Sequence, residues 1–504
     1  MGILTLIVDC IHDNMTTCLV FLLVFLVLWK YFRPSPWRLP PGPRPWPIIG
    51  NMNPLKLSTF IGDVEAFELA RKYNTPILYQ RWFGMNMVTL HSYDLVKEVF
   101  TSDKMVDRVR QGIDKWFNRG IIQVSGQRWV EQRRFTLSTL RDFGLGKNKI
   151  EKTIQEEITE LFENLDNKKG ESFEPTSLLT NAISNIICSM IFGHRFDYDD
   201  TTFKNMLRMM DENIEIHMPP VFFGTIIPFA NWLPGDVCHV KRLEKNLKYM
   251  QDEVFGPEFR KHLENHDPNN MNDFMDVFIN EIKKREDDNE TEHWFTEEQL
   301  GWVIEDLFLA GTETSSSTMR WAFLSMLHYP DVQMKVRKEI HDVIGKERLV
   351  SMKDRLNLPY TEAVLLEIQR MHIITPYGMP HCNRDDPMEI EGYLLPPQCN
   401  VAVNFYSIHY DPDYWDQPEI FNPDRFIGED GKFKRDEHVM PFSIGKRSCL
   451  GEPLARMELF LFFASLLQRY RIALATGQPL PSMERNAGGI IKPNPYNVCF
   501  IKDC

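Results

Sequence analysis

Apolar residues crowd one stretch near the N-terminus and afterwards recur with a helical rhythm over most of the chain. From Met15 to Phe32 nearly every residue is apolar, and Cys18 to Trp29 runs without interruption. That is slightly short of the roughly 20 residues a spanning helix uses. Asp9 and Asp13 precede the run, and Lys30, Arg33 and Arg38 follow it. A cleaved signal peptide has its basic segment first, so this order predicts an uncleaved signal anchor over residues 1–33. The positive-inside rule then puts the N-terminus in the lumen and the bulk of the chain in the cytosol. Next comes Pro34-Ser35-Pro36-Trp37-Arg38-Leu39-Pro40-Pro41-Gly42-Pro43. Proline at this density predicts a stiff, extended hinge over residues 34–50.

Residues 51–504 read as one large domain. Helical patterns run over Ile150 to Leu165, Ser177 to Phe192, Pro359 to Met371 and about Glu452 to Tyr470. Thr296-Glu297-Glu298-Gln299 has the form of a capping box, with Gln299 reaching back to the cap. No proline follows until Pro330. The spacing predicts a helix of about thirty residues and roughly 45 Å, more natural as a central rod than as a surface element. Met388 to Tyr393 and Asn400 to Asn404 alternate like strands of a small sheet. The predicted fold is mainly α with a small β region. Lys283 to Glu298 is highly charged and reads as a solvated loop leading into the long helix.

Composition narrows the function classes. The chain has 504 residues, 43% hydrophobic and 25% charged, which is a globular composition. A formal charge of −13 argues against a nucleic-acid partner, which leaves a basic footprint. The nine cysteines are odd in number and unclustered, a pattern of reduced thiols facing the cytosol.

The chemistry concentrates in a few short motifs. Phe442-Ser443-Ile444-Gly445-Lys446-Arg447-Ser448-Cys449-Leu450-Gly451 holds the pattern F-x-x-G-x-R-x-C-x-G. Gly445 suits a tight turn, and Arg447 offers a rigid fork of donors. Cys449 lies just before a helix start, whose amides stabilise a thiolate. An inert buried thiol is the ordinary alternative, and zinc lacks partners at finger-like spacing. In the middle of the long helix, some 135 residues before Cys449, stands Ala310-Gly311-Thr312-Glu313-Thr314-Ser315. Thr314 could bond back to the Ala310 carbonyl. Glu367 and Arg370 share one helix face, and Arg425 of Pro423-Asp424-Arg425-Phe426 could add donors to that pair. Trp129 and Arg133 form W-x-x-x-R, and His381 follows Met379-Pro380.

Together these motifs resemble the cytochrome P-450 monooxygenases, over nearly all of the chain after the hinge. The likeness is nearest to animal microsomal enzymes that hydroxylate drugs, steroids and fatty acids. It implies haem b (iron protoporphyrin IX), with Cys449 as the axial thiolate that family uses. Phe442, Gly445, Arg447 and Gly451 would shape the haem loop. Trp129, Arg133 and His381 would hold propionates, with Arg108 as a further candidate. Thr314 and Glu313 would deliver protons during oxygen activation. Glu367, Arg370 and Arg425 would lock the core in structural roles. Ile304, Phe308, Ala310, Ile374 and Ile490 would line an apolar pocket for a lipophilic small molecule.

No dinucleotide-binding glycine motif follows a strand, so electrons must come from another protein. The resemblance names NADPH–cytochrome P-450 reductase, with cytochrome b5 as a second donor. Arg128, Arg134 and Lys446 are candidates to receive it. It also implies a single-pass endoplasmic reticulum protein with its catalytic domain in the cytosol. The alternatives are a reductase-independent isomerase or lyase acting on a peroxide, and a non-catalytic haem carrier. Peroxide-type relatives often lack a threonine at the Thr314 position.

Overall fold

A computed structural model describes residues 19–23, 25–26, 29, 35–46, 50–51, 62–82, 85–108, 119–144, 148–217, 235–236, 238–290, 292–485 and 489–502. Its axis is one 32-residue helix, Glu297–His328. Thr296 caps it, accepting the Gln299 N–H at 3.1 Å, and Pro330 begins a new helix beyond Tyr329. Gln299 does not reach back to the cap as the capping-box pattern suggests. Its amide instead donates to the Gly120 carbonyl at 2.9 Å, and its oxygen accepts from Arg128. Contacts distant in sequence replace the local one at this buried residue. From Ser315 to Met326 every residue of the long helix is buried. It is a rod inside the core, so its sequence lacks a polar stripe.

Other helices lie around this rod. Thr176–Ile191 and Asn148–Asn167 stack on one side, and Glu452–Arg469 packs beneath, contributing Phe460, Leu461, Phe462 and Phe463 to the same core. Observed ends fall within two residues of the expected ones. Among the described residues the strands are β1 (Ile77–Trp82), β2 (Met85–Leu90), β3 (His381–Cys382), β4 (Met388–Ile390), β5 (Tyr393–Leu395), β6 (Asn400–Val403), β7 (Tyr470–Ala473) and β8 (Cys499–Lys502). The main sheet has the order β1-β2-β6-β3, with β2 and β6 parallel. The single strand expected over 388–393 is instead the first half of a hairpin. Glu391 and Gly392 take φ of 49° and 74° and fold β4 back on β5. Two left-handed residues are what a tight hairpin turn uses.

The Glu367–Arg370 pair is fully buried, at 2.7 and 2.9 Å. Arg425 Nε joins Glu367 at 3.2 Å, the Asn422 N–H donates to it at 2.8 Å, and Arg370 donates to the His409 carbonyl. Every charge in the cluster has further partners, which a buried pair requires. The hinge region is extended but docked. Tyr79 donates its N–H to the Pro41 carbonyl, and a Cβ on Gly42 would sit 1.9 Å from the Tyr79 oxygen. Of the anchor expected over 1–33, the described residues are helical with exposed apolar side chains, and the rest lies outside the described residues. No helix among the described residues is long and apolar enough to cross a membrane. Cys10, Cys18 and Cys504 lie outside them too, while the six described cysteines are free thiols.

Candidate active site

The cysteine loop is a backbone knot. The Cys449 N–H donates to the Phe442 carbonyl at 2.9 Å, and Ser448 N–H to that of Gly445 at 3.1 Å. Gly445 has φ of 82°, and a Cβ there would meet the Phe100 carbonyl oxygen at 2.0 Å, so only glycine fits. Gly451 caps the helix Glu452–Arg469. A Cβ on Gly451 would touch only the Cys449 sulfur, at 4.0 Å, so protein crowding does not demand this glycine. The thiol is exposed to a cavity and not to bulk water. Burial pushes its pKa up, while N–H groups of Gly451 and Glu452 and the Arg133 charge oppose that rise. The helix start thus aims two donors at the sulfur.

Across a cavity of about 340 Å³ from Cys449 runs the long helix, which lines it with Asp306, Leu307, Ala310, Gly311, Thr314 and Ser315. Thr314 Oγ1 donates to the Ala310 carbonyl at 2.7 Å, the back-bond expected from the sequence. Gly311 serves a second purpose besides opening the wall, because a Cβ there would meet Ile187 at 2.7 Å. Glu313 does not line the cavity. It is buried behind the wall, accepting from Ser317 at 3.0 Å and paired with Lys492 at 2.8 Å, which also meets Asp211. Burial lowers the Lys492 pKa, but the Glu313 and Asp211 charges more than offset it and the net shift is upward.

Ile304 and Phe308, expected in the pocket, are buried in the helical core, Phe308 stacking on Phe192 at 5.4 Å. Gly311 and Ser315, two turns on from them, do line the cavity, so helical periodicity alone does not exclude the pair and the packing of their side chains does. Ile374 does line the cavity, but Ile490 is half-buried and does not.

One end of the cavity is cationic. Arg108, Arg133, Arg447 and His381 line it. Arg447 donates to the carbonyls of Val106 and Val124 at 2.7 and 2.6 Å, and its guanidinium lies 3.9 Å over the Trp129 ring. Arg108 donates to carbonyls of Ile122, Met379 and Pro380, and Arg133 to that of Ser448 at 2.6 Å. Among the described residues no carboxylate bonds to any of the three. Burial and the other arginines hold Arg447 down to about 8 and Arg108 to about 10. A guanidinium keeps its proton even so, so these charges stay buried with carbonyls as their hydrogen-bond partners. Trp129 Nε1 is buried without a partner. His381 bonds the Met105 carbonyl through Nδ1 at 2.6 Å and stacks on Phe100 at 3.9 Å. Burial, then Arg108 and Arg447, lower its pKa to about 3. As a neutral ring it presents Nε2 as an acceptor, and only a neighbouring anion would make it a donor.

Three residues escaped the sequence reading. Asp306 stands one helical turn before Ala310 and two before Thr314, a periodicity that could have found it. It accepts the Ile121 and Ile122 N–H groups at 2.6 and 2.9 Å, and burial outweighs both donors to push its pKa up to about 6. Glu458 is a single acid in an otherwise apolar run. Lys492 had no local signal. Of the basic residues offered to a redox partner, Arg134 is exposed and Lys446 pairs with Asp103, while Arg128 is drawn inward onto Gln299 and Trp294.

The family model described as Cytochrome P450 matches residues 40–500. Cytochrome P450 2C3 of Oryctolagus cuniculus is 37% identical over 487 residues, covering 95% of this chain and 97% of that protein. Cytochrome P450 2C23 of Rattus norvegicus is 38% identical over 498 residues, 96% and 97% of the two. Cytochrome P450 2C8 of Homo sapiens is 37% identical over 497 residues, 96% and 98%.

Proposed function

The chain belongs to the cytochrome P450 family of haem b monooxygenases, and we propose that it oxygenates lipophilic small molecules of steroid, fatty-acid or xenobiotic type. In this reading Cys449 is the iron ligand, and electrons come from an NADPH-dependent reductase, with cytochrome b5 as a second donor. The residues fit the cofactor. A thiol at a helix N-terminus faces a cavity whose cationic end lacks an anion, as two propionates would supply. Arg108, Arg133, Arg447 and the free Trp129 N–H would hold them, and protonated His381 would add a donor. Gly451, empty of side chain for no protein reason, leaves the sulfur open to the ring. Gly445 and Phe442 shape the loop, the latter beneath Arg456 at 4.9 Å.

Bound haem supplies the iron at which dioxygen is activated for insertion of one oxygen atom into substrate. The chain's own residues do the rest. Thr314 can release its 2.7 Å back-bond to Ala310 and turn its hydroxyl toward the cavity as a proton donor. Behind it, Glu313, Lys492 and half-exposed Asp211 join the wall to the surface, a route by which a proton can be replaced. Leu307, Ala310 and Ile374 present apolar surface to substrate and exclude water.

The exposed apolar helical residues Leu19–Leu23 support an anchor in the endoplasmic reticulum membrane, with residues 51–504 in the cytosol. Exposed Arg134 and Lys446 offer cationic charge to an acidic redox partner. The single observation that carries the reading is Cys449 opening, under two backbone donors, onto the cavity that Thr314 closes. The test is NADPH consumption by the purified protein with a microsomal reductase, against a panel of lipophilic compounds. Substrate-stimulated consumption with oxygenated product is expected. Turnover of an organic hydroperoxide without reductase, and silence with it, would replace the monooxygenase by the isomerase.

A further inference from the structure

The helix that follows the cysteine loop is apolar from Met457 to Leu467 except for Ser465 and one acid, Glu458, which is 1% exposed. Glu458 lines the cavity. Its Oε2 accepts from Ser315 Oγ at 2.7 Å, and Oε1 is buried without a partner. The charged groups on the surrounding elements are engaged elsewhere. On the long helix Asp306, across the same cavity, accepts the Ile121 and Ile122 N–H groups, Glu313 holds Lys492, Arg320 bonds the Pro493 carbonyl, and Ser325 engages His372. On neighbouring helices Arg337 bonds the Leu467 carbonyl, Glu367 and Arg370 bond each other, and Asp166 meets Arg469 at 2.5 Å. On its own helix Glu452 and Arg456 pair at 2.9 Å. A carboxylate at Glu458 would have exchanged its water for one hydroxyl, with no cation bonded to it among the described residues. A buried acid so placed takes up a proton instead of keeping its charge. Burial pushes its pKa up to about 8, against a smaller lowering by Ser315.

We propose that Glu458 stands in the cavity wall as a neutral carboxylic acid, and that its ionisation lowers the reduction potential of the haem bound there. Glu458 thus ties the electron affinity of the cofactor to pH. A negative charge in a low-dielectric wall favours the oxidised, more positive iron. Reduction adds one electron to iron, from the redox partner or, in a titration, from dithionite. Above the ionisation of Glu458 the same step draws up to one proton from water onto its carboxylate. No bond to substrate forms or breaks. Glu458 acts through the iron and is a positioning residue, not a catalytic one. The inference rests on haem held by Cys449 in this cavity.

The experiment is a dithionite titration of the haem-loaded protein at pH values on both sides of 8. The wild-type midpoint potential should fall as pH rises through about 8, a fall that Glu458→Gln removes while staying near the low-pH wild-type value. Gln keeps an oxygen for Ser315 and carries no charge, so it mimics the neutral acid. Ser315→Ala, which removes the one donor to Glu458, should move the break to higher pH. A Glu458→Gln protein with the wild-type pH dependence overturns the inference. Should that variant fail to load haem, Ser315→Ala decides alone, an unmoved break being the overturning result. The cofactor reading fails separately, through absence of a thiolate-type reduced-CO band in the wild type. An intact band with an unaltered slope in Glu458→Gln defeats only the role of Glu458.

Discussion

The cationic end of the cavity and the wall along the long helix carry charge under opposite rules. At the cationic end Arg108, Arg133 and Arg447 are buried or partly buried and bond only to carbonyls. Along the wall the acids at the cavity are Asp306 on the long helix and Glu458 on the helix Glu452–Arg469, with Glu313 behind them and paired to Lys492. A guanidinium cannot shed its proton, so its burial creates a demand for an anion from outside the chain. A carboxyl can answer burial by taking up a proton, and needs no partner from outside. One end therefore presents cations that an anion would complete, whereas Asp306 and Glu458 in the wall answer burial by holding their protons more tightly.

The deepest cut into this comparison is Cys449→Ala. It leaves the arginines in place but removes the only thiol lining the cavity among the described residues. The thiolate-type reduced-CO absorbance should vanish altogether. A retained band would remove Cys449 as ligand and leave the cationic end without its reason.

Next in size is Glu367→Gln, which tests whether buried cations tolerate losing an anion the chain does supply. Glu367 is the acid shared by Arg370 and Arg425. Removing one partner of a buried pair costs about 3–5 kcal/mol. The variant should unfold at markedly lower denaturant or temperature and yield little haem-loaded protein. Wild-type unfolding would show that Arg370 and Arg425 are satisfied by carbonyls alone, and the contrast between the two kinds of cation cluster would fall.

Thr314→Ala addresses the helix wall. The back-bonded hydroxyl goes, while cofactor contacts stay. Haem content should be unchanged, and product formed per NADPH should drop by about a hundredfold or more, the range for loss of one general acid. The missing equivalents should appear as peroxide. Unaltered coupling would mean that the proton reaches the iron by another path, and would point to Asp306 or Glu458.

How much of this was legible before the fold was known differs between the two regions for a physical reason. The cysteine loop is a local structure, fixed by Gly445 and by bonds between residues close in sequence, so a ten-residue motif carries it. The Thr314 back-bond is likewise one helical turn long. The salt-bridge lock joins Glu367 to Arg425, 58 positions away, yet each half has its own short pattern. Which way a helix face points is not local. Ile304 and Phe308 look as suitable for an apolar pocket as Leu307, and only packing against Phe192 and Phe255 turns them to the core. Glu313 was legible as an acid beside Thr314, but its partner Lys492 comes from a loop 179 residues on, and nothing around Lys492 announces it. Gln299 has the right spacing for a capping box and spends its amide on Gly120 instead.

The finest distinction between the two regions is how they respond to pH. Asp306 holds the Ile121–Ile122 turn through two backbone N–H groups, and its pKa lies at about 6 instead of 3.8. The folded protein then holds this proton more tightly than the unfolded chain does. Folding takes up protons in the window between those two values, so Asp306 makes stability fall as pH rises through it. Asp306→Asn keeps an oxygen for both N–H groups and cannot ionise, so the fall should be absent. Relative to wild type, the variant should gain stability from about pH 4 to about pH 6 and hold a constant advantage above. The effect should be small, because Asp306 is partly open to the cavity and solvent there screens its charge. Denaturant midpoints for the two proteins across that window measure it. Parallel curves would mean that the two N–H donors already hold Asp306 as a carboxylate. The helix wall would then store charge, not protons, at that point.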